Sequence, residues 1–163
     1  MVVLRHAREA DKCSNSGRWA ALLLPRCELR QWAGRLDGWA LQDLGAPGDW
    51  LLFPNEMQPA SPLAPAGRPQ RLVVLDGTWR QVRRMLRALP ALARLPRLSV
   101  PPRRHGLRLR AAPSPHQLST LEAISSAVAA LESEELALAL DASHRELVKR
   151  ALSARGRRLA EAA

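Results

Sequence analysis

Arg71-Leu72-Val73-Val74-Leu75-Asp76-Gly77-Thr78-Trp79 is the stretch that decides the fold. Arg71–Asp76 is apolar and rich in β-branched residues, and it ends in an acid, so it predicts a buried strand. Gly77 lets the backbone turn. Thr78 and Gln81 have the spacing of a capping box, so a helix should begin at Trp79. Val82, Met85, Leu86 and Leu89 then recur at i, i+3, i+4 and i+7, one buried stripe. Arg80, Arg84 and Arg87 lie on another face with Arg83 beside them, and Pro90 closes the helix. Strand, tight turn and capped helix together form one half of a βαβ unit.

The same alternation extends in both directions. Val2–Leu4 reads as a short buried strand with Arg5 and His6 at its carboxyl end. Asn15 can cap a helix over Arg18–Leu24, stopped by Pro25. Glu28–Trp32 is a second strand candidate, and the apolar run Asp49–Pro54 is a third. Residues 54–70, punctuated by Pro54, Pro59, Pro62, Pro65 and Pro69, predict a long surface loop. Leu98–Val100 and Leu107–Leu109 read as short strands around the basic loop Pro101–Gly106. Ser119 and Glu122 form a second capping box, before a helix with Leu121, Ile124, Val128 and Leu131 on one face. Ser133 can cap the next helix. Ser143 and Glu146 have the spacing of a third capping box, opening a last helix through about Ala154. The expected architecture is α/β: a single domain over 1–154, a mainly parallel sheet flanked by helices, and a basic tail at 155–163. In such sheets ligands sit at the carboxyl ends of strands, and here those ends are polar.

Composition narrows the function. The 163 residues carry 25 Lys+Arg against 15 Asp+Glu, a formal charge of +10. Lys12 and Lys149 are the sole lysines, so the excess is arginine, whose planar guanidinium suits bidentate contacts to phosphate. A polyanion such as RNA is the first partner to consider; the plainer reading is a proteome that writes Arg where another writes Lys. A hydrophobic content of 47% argues against a disordered basic tail. No apolar run approaches a membrane span, and Met1–Leu4 is too short for a signal peptide, so a cytoplasmic protein without membrane contact is expected. Cys13 and Cys27 lack CxxC spacing, so no metal is expected and both read as reduced thiols. GxGxxG, Walker A and HExxH are absent, as are internal repeats.

Asp76-Gly77-Thr78-Trp79 is the sharpest constellation. The acid can face a cation or accept a proton, the helix N-terminus can hold a carboxylate or phosphate, and Trp79 can pack on a ligand. A capped turn with a core tryptophan is the structural alternative; it explains Thr78 and Gln81 but not Asp76 beside Trp79. Leu118-Ser119-Thr120-Leu121-Glu122-Ala123 is fully explained as a capping box, though a ligand can share such an N-terminus. His6 and Glu9, followed by Asn15-Ser16-Gly17-Arg18, form a loop able to close over a ligand; His6, His116 and His144 are equally compatible with ordinary hydrogen bonding. Arg80, Arg83, Arg84 and Arg87 adjoin the first turn, and Arg103, Arg104, Arg108 and Arg110 adjoin the second. They are either solvated surface or phosphate contacts.

The ordered set of segments resembles the DTW-domain family, whose bacterial members are tRNA-uridine aminocarboxypropyltransferases. It comprises His6-x-x-Glu9-x-x-Lys12-x-x-Asn15-Ser16-Gly17-Arg18, Phe53-Pro54-x-Glu56, Leu75-Asp76-Gly77-Thr78-Trp79, Leu107-Arg108-Leu109-Arg110, Leu118–Ala123 and Ser143-His144. Two departures stand out. The cysteine-rich segment with which family members usually begin is missing from this chain, and Ser16 stands where Thr is common. The resemblance implies a SPOUT-like fold with a trefoil knot. It also implies S-adenosylmethionine as donor of a 3-amino-3-carboxypropyl group to N3 of a uridine in tRNA, releasing methylthioadenosine. Asp76 and Trp79 are then the expected catalytic residues. Asn15, Gly17, Phe53, Pro54, Leu75, Asp76, Thr78, Trp79, Leu118, Ser119, Thr120 and Glu122 are expected to bind S-adenosylmethionine. Arg18, Arg80, Arg83, Arg84, Arg87, Arg103, Arg104, Arg108 and Arg110 are expected to face RNA. The protein is expected to be a monomer or homodimer. Competing readings are methyl transfer from the same pocket, transfer to ribosomal RNA, and a non-catalytic basic RNA-binding module.

Overall fold

In a computed structural model the described residues are 1–12, 15–34, 41–54, 67–101, 103, 108 and 118–154. Five strands, β1 (Val2–His6), β2 (Glu28–Trp32), β3 (Asp49–Leu52), β4 (Arg71–Asp76) and β5 (Arg97–Leu98), form one parallel sheet in the order β2-β1-β4-β3-β5. The helices are α1 (Ser16–Leu23), α2 (Trp79–Ala88), the single turn α3 (Pro90–Ala93), α4 (Thr120–Leu131) and α5 (Glu134–Ala154). The expected α/β class with a mainly parallel sheet is therefore what forms.

Period-two alternation puts the core on both sides of the sheet. Val2, Leu4, Leu51, Phe53, Val73 and Leu75 pack against Val82 and Met85 of α2 and Leu89 at its C-cap. Val3, Trp50, Leu52, Leu72, Val74 and Leu98 face the other way, onto Ala20 of α1 and Leu121, Ile124 and Val128 of α4. A strand covered on both faces cannot alternate with polar residues, which is why β4 reads as an unbroken apolar run. The chain leaves β1 through α1 on one face, toward β2. It leaves β4 through α2 on the other face, toward β5. Neighbouring strands whose connections depart in opposite directions leave a crevice between their carboxyl ends. Here that crevice lies between β1 and β4, at His6 and Asp76.

Several local expectations need correction. Ser143 and Glu146 do not open a helix. The last helix runs unbroken from Glu134 to Ala154, and the Ser143 hydroxyl donates to Ala139 O four residues back, 3.0 Å. The reason is tertiary: Ala137, Leu140, His144 and Val148 are buried on one face, and an apolar stripe outweighs a local serine signal. The helix instead begins after Ser133, whose Oγ accepts from Leu136 N at 3.1 Å. The strand expected at Leu98–Val100 is Arg97–Leu98. Pro90 does end α2, but at the first position of α3 it also restarts the helix, where its missing N–H costs nothing. The helix expected from Arg18 starts at Ser16, with Asn15 capping as expected through Oδ1 and Arg18 N, 2.7 Å. Of the expected Leu107–Leu109 strand only Arg108 is described, and it is in no strand; residues 107 and 109, the loop residues 55–66 and the tail 155–163 lie outside the described residues.

Candidate active site

Three separate chain segments meet at Asp76. Its carboxylate ends β4 and is 4% exposed. Oδ2 accepts from Asn15 Nδ2 at 2.5 Å, and Oδ1 accepts from Thr120 Oγ1 at 2.5 Å. Asn15 is the N-cap of α1 and Thr120 the first residue of α4, so one side chain ties two helix starts to a strand end. Because Asn15 Oδ1 already accepts from Arg18 N, its amide nitrogen is the end left for Asp76. Gly17 is what permits the approach. A Cβ there would lie 2.6 Å from Asp76 Cγ, closer than non-bonded carbon atoms tolerate. Burial pushes the Asp76 carboxyl above its usual range; the bonds from Thr120 and Asn15 pull the other way, and the nearby Glu9 charge adds to the rise.

Both predicted capping boxes are present. Thr78 N donates to Gln81 Oε1 at 2.6 Å and Gln81 N to Thr78 Oγ1 at 3.3 Å. Ser119 N donates to Glu122 Oε2 at 2.7 Å and Glu122 N to Ser119 Oγ at 3.3 Å. Each box uses the N-cap and third amides. The first and second, Trp79 and Arg80 in α2 and Thr120 and Leu121 in α4, take no part in it. Glu122 is fully buried, and its other oxygen accepts from Arg108 Nε at 2.7 Å. That contact joins two motifs that composition alone leaves separate.

Phe53 and Trp79 follow β3 and β4 respectively and meet edge to face, centroids 5.8 Å apart, with Arg97 stacked over the Phe53 ring. Trp79 stays half-buried, while Leu75 is in the core, Leu118 is half-buried and Pro54 is exposed. His6 is buried at the end of β1. Its Nδ1 accepts from Arg8 N at 3.2 Å and its ring lies edge-on to Trp32. Burial lowers the His6 pKa from its ordinary value, and the charges of Arg8 and Arg84 lower it further. The buried Glu9 pairs with Lys12 at 2.5 Å.

The family model described as DTW domain matches residues 1–152. The chain belongs to the DTW-domain family. This family is one of tRNA-modifying proteins, and its matched region takes in Asp76-Gly77-Thr78-Trp79 and the whole sheet. No solved structure matches the chain. Among the described residues of the DTW domain, no three His, Cys, Asp or Glu side chains are grouped to hold a metal ion, and no helix is long and apolar enough to cross a membrane.

The arginines divide. Arg18, Arg80, Arg83, Arg84 and Arg87 are exposed. Arg103 is held by Glu134 through two bonds of 2.7 and 2.6 Å, with Asp141 3.4 Å away, and Arg108 is held by Glu122. A phosphate contact from either would have to replace an existing ion pair. Arg104, Arg110, Glu56 and His116 lie outside the described residues. Arg8 escaped the sequence reading. The rule that sites gather at strand ends, applied two residues past His6, would have found it.

Proposed function

We propose that this DTW domain transfers the 3-amino-3-carboxypropyl group of S-adenosylmethionine to N3 of a uridine in tRNA, releasing methylthioadenosine. The carrying observation is the junction at Asp76: a buried acid, two helix N-termini and the Phe53–Trp79 pair at adjacent strand ends. The residues fit this co-substrate. A carboxylate suits a sulfonium or ammonium group, amides at helix starts suit a carboxylate or ribose, and a half-buried tryptophan suits an apolar wall. S-adenosylmethionine brings an electrophilic carbon on a cationic sulfur; which carbon is attacked depends on orientation alone. Trp79, braced by Phe53, covers the methyl side and leaves the aminocarboxypropyl methylene toward uridine. Asp76 is held as an oriented acid facing the sulfonium. Each oxygen accepts one bond and keeps a further lone pair, and burial raises its proton affinity, so it also takes the N3 proton that uridine loses as the new N3–C bond replaces the S–C bond. Asn15 and Thr120 hold it, and Glu122 orders the start of α4. The SPOUT-like arrangement with a trefoil knot belongs to the same proposal; the all-parallel sheet with helices leaving β1 and β4 on opposite faces supports it.

The test is mass spectrometry of tRNA incubated with the protein and S-adenosylmethionine. The expected result is one aminocarboxypropyl mass on a uridine, with methylthioadenosine as co-product, and its loss in Asp76→Ala. A methyl gain with S-adenosylhomocysteine would overturn the proposal, as would unmodified tRNA.

A further inference from the structure

Beside the junction lies a second feature that the transfer chemistry does not use. His6 at the end of β1 and Arg8 in the 3-10 turn Ala7–Glu9 after it, with Thr78 capping α2 and Arg80, Gln81, Arg84 and Arg87 within it, line a cleft of about 370 Å³. Arg80, Arg84 and Arg87 stand at i, i+4 and i+7, one face of the helix, and span about 10 Å along its axis. No acid is among the lining residues. Elsewhere Arg30, Arg71, Arg103, Arg108 and Arg150 all sit against carboxylates. Among the described residues, none of the four cleft arginines has such a partner. Four like charges gathered around one concave surface repel one another, and an anion placed among them removes that cost.

We propose that this cleft binds the phosphodiester backbone of a single RNA strand, gripping phosphates through Arg8, Arg80, Arg84 and Arg87 without reading bases. The proposal rests on the tRNA reading above and gives it a location: Thr78, which lines the cleft, is two residues from Asp76. Arg83, though it neighbours Arg80 and Arg87 on the helix surface, is not among the residues that line the cleft. Arg8 lies on a different element, the turn after β1, so the lining is drawn from two chain segments. A concave lining of this size favours a single extended strand over the broad surface of a duplex. His6 contributes an N–H from Nε2, because its Nδ1 is already an acceptor.

The experiment is fluorescence anisotropy with a uridine-rich single-stranded oligonucleotide, without S-adenosylmethionine, across a salt series. Arg8→Ala, Arg84→Ala and Arg87→Ala should each weaken binding roughly tenfold, the worth of one charge-assisted hydrogen bond. Each should also reduce the salt slope by about 1. Arg83→Ala removes the same charge from the same helix and should lose clearly less. Equal losses at Arg83 and Arg84 would overturn the proposal in favour of unspecific attraction. So would full competition by millimolar inorganic phosphate, which would assign the cleft to a small anion. The two proposals fail separately. Cleft-dependent RNA binding without transfer sinks the transfer reading and keeps the cleft; transfer insensitive to Arg84→Ala and Arg87→Ala sinks the cleft.

Discussion

Asp76 shows what a single residue can be asked to do. Its position after an apolar strand and before Gly77 marks it in the sequence, as does Trp79. Its partners are not marked, because Asn15 lies 61 residues away and Thr120 lies 44 residues away. No local pattern encodes a bond across such a separation. Gly17 is the clearest instance. In sequence it is a glycine in a helix start; in space it is the gap that admits a carboxylate. Gly17→Ala should therefore cost about 1–3 kcal/mol through overpacking, since the Asp76 head is pinned by two bonds and cannot yield. Urea denaturation measures this. A stability equal to that of the parent would show that the α1–β4 junction is loose and would remove the basis for Asp76 as an oriented charge.

Among elements, the helices were the most legible because caps and apolar stripes are local. Thr78–Gln81 and Ser119–Glu122 form as their spacing predicts. Ser143–Glu146 has the same spacing and forms nothing of the kind. The difference lies in what surrounds the serine. Ser143 sits inside a stripe continued by Leu140, His144 and Val148, and the edge-to-face contact of His144 with Trp19 anchors that turn to α1. The two serines are thus expected to respond differently. Ser133→Ala removes a real cap and should cost about 1 kcal/mol. Ser143→Ala should be neutral or slightly stabilising, since alanine is the better residue in a helix interior. Thermal unfolding of the pair decides it: a loss at Ser143 matching that at Ser133 would mean that α5 is broken there. Strand lengths were less legible. β5 has two paired residues, and its bounds depend on β3 beside it rather than on its own side chains.

Across the whole molecule, the two ends of the sheet carry opposite arrangements of charge. At the amino end Asp49 and Arg71, register partners that open β3 and β4, form bonds of 2.9 and 2.7 Å. Gly45 and Ala46 amides complete the Asp49 shell, and Asp43 bridges Arg71 and Arg30. At the carboxyl end, the cleft arginines have no such partners among the described residues. The first end holds the fold together and the second is available to a ligand. Burial alone would raise the Asp49 pKa, but Arg71 and the two amides outweigh it and leave it below the ordinary 3.8. A carboxylate depressed in the folded state stabilises above its unfolded pKa, and that contribution disappears as pH falls through the lower folded value. Asp49→Asn should accordingly cost about 2 kcal/mol at pH 7, with the deficit shrinking below pH ~4. A deficit independent of pH would assign the effect to packing instead.

From the sequence by itself came the parallel α/β class, the main strands and capped helices, and the acid–Gly–Thr–Trp turn, because periodicity and capping are properties of neighbours. Tertiary structure decided the rest. It set the strand order that places β1 beside β4, the junction of Asn15, Gly17 and Thr120 on Asp76, and the continuity of α5. It also separated the arginines into paired and unpaired groups. Each of these depends on contacts between distant segments, whose energies arise only once the apolar faces have packed and charges share a low-dielectric neighbourhood.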